Sequence, residues 1–356
     1  MAEELRAALI GFGLSGEAFH APLISAVPGI ELAAIVSRDS QRRDRAHSQY
    51  PDAELFGEAD EVWRHADRFD VAVVAAPNRA HVPLASAAIE AGLDVVVDKP
   101  LAASASAAGG LVELARQGGR SLIPFQNRRW DGDLLTVRKL IEEGDLGRVH
   151  RFESRFERWR PEVSSGWRDQ PDPEEAGGLL FDLGSHLVDQ ALHLFGSARH
   201  VYAELDQRRT GAAVDDDDFV ALTHASGTRS HLWMSAVAAQ SGPRFRVLGA
   251  QAAYVKYGLD VQEGALRAGE DPGAAGWGRE DPESWGVLGV DGATRRVETE
   301  AGAYERFYEG VVATLRAGAP PPVEPAEAVD ALIVLDAARA SAREGRVVEV
   351  PELPEP

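Results

Sequence analysis

Short apolar runs alternate with longer amphipathic segments through the first third of the chain. The pattern predicts strands over 7–11, 32–37, 71–76, 95–98 and 121–125, with Ala-rich segments of helical period between them over 16–26, 40–49, 80–91 and 104–117. Val71-Ala72-Val73-Val74 is apolar at every position, as a strand must be when helices cover both faces of its sheet. Regular alternation of strand and helix predicts an α/β unit with a doubly wound parallel sheet.

After about residue 125 the period changes. A helix over 132–143 leads into His150-Arg151-Phe152-Glu153-Ser154-Arg155-Phe156, where apolar and polar positions alternate. Phe219 to His224 and a strand ending at Ser235 flank the turn Ala225-Ser226-Gly227-Thr228. Period-two alternation around a short Gly-containing turn predicts antiparallel hairpins with one buried face. Residues 258–302 contain ten Gly and read as loops and short strands, and a last helix is expected over 326–344. The organisation expected is one domain over 1–125 and a second, α+β, over 126–356. Asp215 to Asp218 reads as a solvated loop rim.

The chain has 356 residues and a formal net charge of −20, and two domains are the ordinary expectation at this length. That charge repels phosphate backbones and anionic lipid, so no nucleic-acid or membrane partner is expected. No run of 18 apolar residues appears, and Met1-Ala2-Glu3-Glu4 is acidic where a signal peptide is basic. The absence of Cys removes thiol nucleophiles, Cys-based metal sites and disulfides. A cytoplasmic protein is the expectation.

Gly11-Phe12-Gly13-Leu14-Ser15-Gly16 ends the first strand and opens a helix. Its glycines suit a tight turn, a close pyrophosphate and close helix–strand packing, so the loop is expected to cradle a dinucleotide, with a merely structural turn the alternative. About twenty residues on, where an NAD-type site carries an acid for the ribose 2′-hydroxyl, stand Ser37 and Arg38, followed by Arg42. Guanidinium groups suit a 2′-phosphate, which favours NADP over NAD; an ordinary solvated helix face is the alternative.

Two further places carry proton-transfer chemistry. The chain has 34 Arg and only three Lys, and one of these, Lys99, follows Asp98 at the carboxyl end of the 95–98 strand, where a doubly wound sheet faces its ligand. An ammonium can give up a proton where a guanidinium cannot. The second place is a helical stripe of Asp182, His186, Asp189 and His193, reached through Gly177-Gly178. A two-His, one-carboxylate metal site is the chemical rival, but no metal is expected.

These residues resemble the Gfo/Idh/MocA oxidoreductases, the glucose–fructose oxidoreductase and inositol dehydrogenase group. The resemblance covers nearly the whole chain: Gly11 to Gly16, Pro77-Asn78 with His81, Asp98-Lys99-Pro100, Gln126 to Asp131, and Gly177 to Asp189. Gly16 to Leu23 and Asn127 to Asp131 look most like the branch of NADP-linked scyllo-inositol dehydrogenases. Asp98-Lys99-Pro100 departs from the family's usual Glu-Lys-Pro.

The resemblance implies Lys99, Asp182 and His186 as the catalytic set. It implies cofactor contacts at Ala76, Pro77, Asn78, His81, Asp98 and Lys99, beside the glycine loop, Ser37, Arg38 and Arg42. It also implies an open, mostly antiparallel second sheet whose free face makes a homodimer or homotetramer. Asn127, Arg128, Trp167, Arg168 and His186 are candidates for the substrate pocket, with surface packing the alternative for Arg128, Trp167 and Arg168. The function expected is hydride transfer between NAD(P) and a secondary alcohol of a cyclic polyol or sugar. An NAD-dependent glycoside hydrolase and a non-catalytic cofactor-binding regulator are the rivals.

Overall fold

The computed structural model describes residues 4–163 and 171–351. They fall into two compact units that interleave along the chain. The first runs to Trp130 and takes in Gln262–Trp277 and Ala303–Val329; the second comprises Asp131–Val261, Gly278–Gly302 and the chain from Asp330.

The first unit holds six parallel strands: β1 (Leu5–Ile10), β2 (Ile30–Val36), β3 (Glu54–Phe56), β4 (Val71–Val74), β5 (Asp94–Asp98) and β6 (Leu122–Phe125). Their order, β3-β2-β1-β4-β5-β6, reverses direction of growth at β1, which puts the switch point beside the glycine turn. The apolar runs are strands because both faces are covered: every residue of β4 and Val95 to Val97 of β5 are fully buried. β3 carries too short a pattern to be read in the sequence.

Two stretches from beyond residue 125 complete this core. Leu266, Tyr304, Phe307, Tyr308 and Val311 pack with Leu9, Ile24 and Phe125. The helix Glu305–Ala317, for which the sequence pattern gives no expectation, brings three of them, and Tyr304 immediately precedes it. Phe307 stands edge-on to Phe125, with ring centroids 4.8 Å apart. Such burial is worth about 1.5–3 kcal/mol per large apolar side chain.

The second unit is built on nine strands: β7 (Val149–Glu157), β8 (Ala198–Asp206), β9 (Asp217–His224), β10 (Arg229–Ser235), β11 (Phe245–Gly249), β12 (Ala253–Lys256), β13 (Gly286–Val290), β14 (Ala293–Val297) and β15 (Val348–Glu349). Their order is β14-β13-β12-β11-β7-β10-β9-β8-β15. Only β7 and β10 pair in parallel, so the sheet is mostly antiparallel as expected. Its inner face, with Phe152, Val220, Leu232 and Met234, is buried. On the other face, half-buried Phe219, His231 and Trp233 form an aromatic group, and the Arg155 guanidinium lies 3.9 Å from the Trp233 ring centre.

Two of the four aspartates depart from the expected solvated rim. Asp216 is fully buried and accepts from the backbone and guanidinium of Arg209, while Asp218 on β9 points inward beside Val220 and is 3 % exposed. Among the described residues no helix is long and apolar enough to cross a membrane.

Candidate functional site

In the first unit the glycine turn follows β1 directly. Gly11 has φ of +111°, which suits glycine, and a Cβ there would lie 2.3 Å from the Ala75 carbonyl oxygen. A Cβ on Gly16 would lie 2.1 Å from the Gly11 carbonyl oxygen. These two glycines are fixed by backbone contact. Gly13 is different: a Cβ there would meet only the Arg42 Nη1, at 3.5 Å. Open space beside a guanidinium at the middle glycine is what an approaching phosphate needs, so the turn fits the pyrophosphate of a dinucleotide. Phe12 is buried in the core, leaving only its backbone for a ligand, whereas Leu14 is exposed. Ser15 precedes a π-helical turn, Gly16–His20, that leads into the helix Ala21–Ala26.

At the end of β2, Ser37 is buried and its carbonyl accepts from Arg43. Arg38 is 84 % exposed and paired with Glu58 at 2.8 Å, and Arg42 lies 3.8 Å from Asp39. Arg45 makes a two-point bond to Glu17. The basic cluster is thus largely neutralised by acids, two of them outside the 38–45 segment. An exposed ion pair is worth at most about 1 kcal/mol, so a phosphate competes for Arg38 at little cost.

Ala76, Pro77 and Asn78 follow β4 and open the helix Asn78–Glu90. His81, 1 % exposed, ties this helix to the neighbouring loop: Nε2 lies 2.8 Å from the Ala76 carbonyl and Nδ1 2.8 Å from that of Pro100. A neutral ring donates only one of these contacts. Asp98 Oδ1 accepts the Lys99 amide at 2.8 Å, and Lys99 itself is half-buried. The other two lysines are engaged in ion pairs, Lys139 with Glu300 at the surface and Lys256, 1 % exposed, with Glu280.

Behind Asp98 stands a buried polar group that the sequence pattern does not single out. His20 is fully buried, its Nδ1 2.6 Å from the Tyr308 hydroxyl and its ring centre 4.1 Å from that of Phe125. Its Nε2 faces Asp98 Oδ2 at 3.9 Å. Burial lowers its pKa from 6.5 to about 4, against the raising effect of the Asp98 carboxylate, with His81 adding to the lowering. Tyr308 is pushed well up, first by burial and then by Asp98. The only sequence signal was a polar residue on an apolar helix face.

Because His20 binds its proton less tightly folded than unfolded, the unfolded chain holds more protons between pH 6.5 and about 4. Its contribution to stability is complete above that window and is lost as pH falls through it, amounting to about 3 kcal/mol. Denaturant unfolding at neutral and acid pH is expected to show a shallower pH slope for His20→Gln than for the wild type. Identical slopes would mean His20 is not held neutral.

Arg128 and Asn127 lie in a 3₁₀ turn, Asn127–Trp130, and both are buried. The Arg128 guanidinium is bound by Glu263 and approaches the Tyr304 hydroxyl at 3.4 Å, so it ties the turn to the helix Gln262–Arg267. Trp167 and Arg168 lie outside the described residues.

In the second unit the expected stripe is only partly continuous. Leu180–Gly184 is a π-helical turn and Ser185–Phe195 an α-helix. The wider i→i+5 turn shifts Asp182 from the α-helical register assumed in the sequence reading; such turns are frequent at functional sites. Asp182 is half-buried, His186 and Asp189 are buried, and His193 is exposed, so the stripe ends after Asp189. Gly184 lets the turn approach β10, since a Cβ there would meet Met234 at 3.3 Å. Among the described residues no three His, Cys, Asp or Glu could together hold a metal ion.

Residues 5–125 match the NAD-binding Rossmann fold of an oxidoreductase family, and residues 138–350 match that family's C-terminal alpha/beta domain. The chain belongs to the Gfo/Idh/MocA oxidoreductase family. It is 33 % identical over 350 residues to scyllo-inositol 2-dehydrogenase (NADP(+)) IolW of Bacillus subtilis, covering 97 % of this chain and 96 % of that one. With the uncharacterized oxidoreductase YdgJ of Escherichia coli it shares 38 % identity, covering 96 % of this chain and 98 % of the relative. The solved structure of the oxidoreductase yvaA from Bacillus subtilis superposes with a TM-score of 0.93 at 32 % identity, covering 99 % of both chains. Membership makes this Gfo/Idh/MocA protein an oxidoreductase with a Rossmann domain for NAD(P), as the glycine turn indicates.

Proposed function

We propose that this Gfo/Idh/MocA enzyme is an NADP-preferring dehydrogenase that interconverts a secondary alcohol and a ketone on a cyclic polyol or sugar of the inositol type. The nucleotide half of the reading is carried by the end of the second strand, where Ser37 and Arg38 stand in place of the acid that holds a ribose 2′-hydroxyl, Asp39 caps the next helix by accepting the Arg42 amide, and the Arg42 side chain reaches toward the glycine turn. The substrate half is supported by the relative that bears the name of a scyllo-inositol dehydrogenase.

Gly11 to Gly16 would hold the pyrophosphate on backbone groups, Arg38 and Arg42 the 2′-phosphate, and Ala76 to Asn78, His81 and the Asp98–Lys99 turn the nicotinamide side. A bound nicotinamide would supply the hydride acceptor or donor. In the reading offered here the His186 imidazole takes the hydroxyl proton during oxidation and returns it during reduction. The Lys99 ammonium hydrogen-bonds the reacting oxygen, and Asp182 fixes the imidazole or a neighbouring hydroxyl. Self-association as a homodimer or homotetramer through the Phe219–Trp233 face belongs to the same reading.

A panel of inositols, aldoses and ketoses, assayed by absorbance of the reduced nicotinamide with each dinucleotide, tests the substrate class. Turnover of an inositol with NADP is the expected result; an inert panel would remove the polyol reading. Arg38→Ala is expected to weaken NADP binding about 10- to 100-fold, the worth of one charge-assisted hydrogen bond, while NAD binding and stability stay unchanged. Equal NADP affinity in wild type and variant would refute the role of Arg38.

A further inference from the structure

The turn carrying Asp182 is held from one side by a single residue, Asp215. Leu180 N–H donates to Asp215 Oδ2 at 2.8 Å, and Leu179 N–H donates to the Asp215 carbonyl at 3.1 Å. The Asp215 carboxylate occupies the place where a side chain at residue 178 would be: a Cβ on Gly178 would lie 2.2 Å from Oδ1. Gly178 has φ of +94°, so the Gly-Gly segment both turns sharply and admits the acid. A cavity of about 490 Å³, lined in part by Gly177, Leu180, Phe181 and Arg339, adjoins this segment. With open space there, the two bonds to Asp215 do what packing does elsewhere.

Asp215 in turn meets a second carboxyl. Asp218 is 3 % exposed, and its two side-chain oxygens are buried without any conventional donor. The cations nearby are committed elsewhere: Arg209 binds Asp216, and Arg208 lies against Asp206 and Asp217. Burial first, and then the charge of and hydrogen bond to Asp215, with Asp217 and Asp216 adding to the effect, raise the Asp218 pKa to about 11. A buried acid beside a like charge keeps its proton, and the proton makes it a donor.

We propose that Asp218 donates its carboxyl proton to Asp215, and that this acid pair is a positioning device for the π-helical turn of Asp182 and, through it, for His186. The pair makes no contact with substrate in this account. It sets the carboxylate that holds the Leu180 amide, next to the Leu179 amide held by the Asp215 backbone carbonyl, and those amides set where the helix begins. The catalytic consequence rests on the roles proposed above for Asp182 and His186; the structural claim does not.

Two substitutions separate the donor from the volume. In Asp218→Asn the amide N–H₂ can replace the acid proton, so kcat and amide protection at Leu179 and Leu180 are expected to match the wild type. Asp218→Leu fills similar space but donates nothing. Hydrogen exchange at Leu179 and Leu180 is then expected to rise, with kcat falling on the order of 100-fold, as a misplacement of about 1 Å can cause, and dinucleotide affinity unchanged. An infrared band of a protonated carboxyl at neutral pH should be present in the wild type and lost in Asp218→Asn.

Equal exchange in both variants, or no such band, overturns the acid pair. Should exchange and band behave as expected while kcat is unmoved in Asp218→Leu, the positioning part is overturned. A parallel His186→Ala variant with wild-type turnover would instead locate the failure in the proposed role of His186.

Discussion

Turnover in His186→Ala, and separately in Lys99→Met, is expected to fall by about 100- to 10,000-fold, the usual worth of a positioned proton donor or acceptor. His186 is 5 % exposed in the first turn of its helix, and Lys99 is half-buried on the turn that Asp98 caps. Neither substitution removes a large apolar side chain, so the loss should appear in kcat rather than in folding. The two variants differ in a useful way. Lys99 belongs to the unit with the glycine turn and His186 to the other, so His186→Ala should leave dinucleotide affinity at the wild-type value. Near-wild-type turnover in both variants with normal cofactor binding would refute the proposed mechanism.

The second large effect is expected at the glycines. Gly11→Ala and Gly16→Ala each force a methyl group to within 2.3 Å of a backbone oxygen, and backbone cannot yield as a flexible side chain can. Overpacking of this kind costs about 1–3 kcal/mol, and at Gly11 the positive φ adds about 1–2 kcal/mol. A lower thermal midpoint and loss of dinucleotide binding are both expected. Gly13→Ala is the informative contrast. Its methyl would meet only the end of Arg42, so the fold should keep its midpoint while binding is lost, because the methyl takes the space a phosphate needs. Isothermal titration with NADP alongside thermal unfolding reads both quantities. Unchanged NADP affinity in Gly13→Ala would show that the turn is structural only.

Much of the first unit was legible because parallel strands buried on both faces leave uninterrupted apolar runs, and Gly11 to Gly16 falls at the end of one. The helix at 305–317 was not read, although Phe307, Tyr308, Val311 and Leu315 lie at helical spacing; Gly310 and the preceding glycine-rich stretch obscured it. The π turn at Leu180–Gly184 leaves no local signature, and an α-helical period carries the stripe as far as His193, which is exposed. Asp215 to Asp218 looked solvated because a run of like charges usually is. In a strand, alternation sends Asp218 inward with Val220 and Leu222, and buried carboxyl groups then need partners that only tertiary structure supplies. His20 was unreadable for the same reason: its partner Tyr308 is 288 residues away.

The interleaving of the two units bears on how the protein is made. A ribosome releases the six parallel strands long before the side chains that finish their core, Tyr304, Phe307, Tyr308 and Val311. Until then His20 has no hydroxyl to meet and Phe125 lacks a ring across from it. The nascent Rossmann half is therefore an incomplete body that exposes apolar surface until that stretch is made, the condition under which chaperones engage a chain. A gene cut after residue 130 would express that same unfinished body, whereas a circular permutant that keeps 262–329 would not.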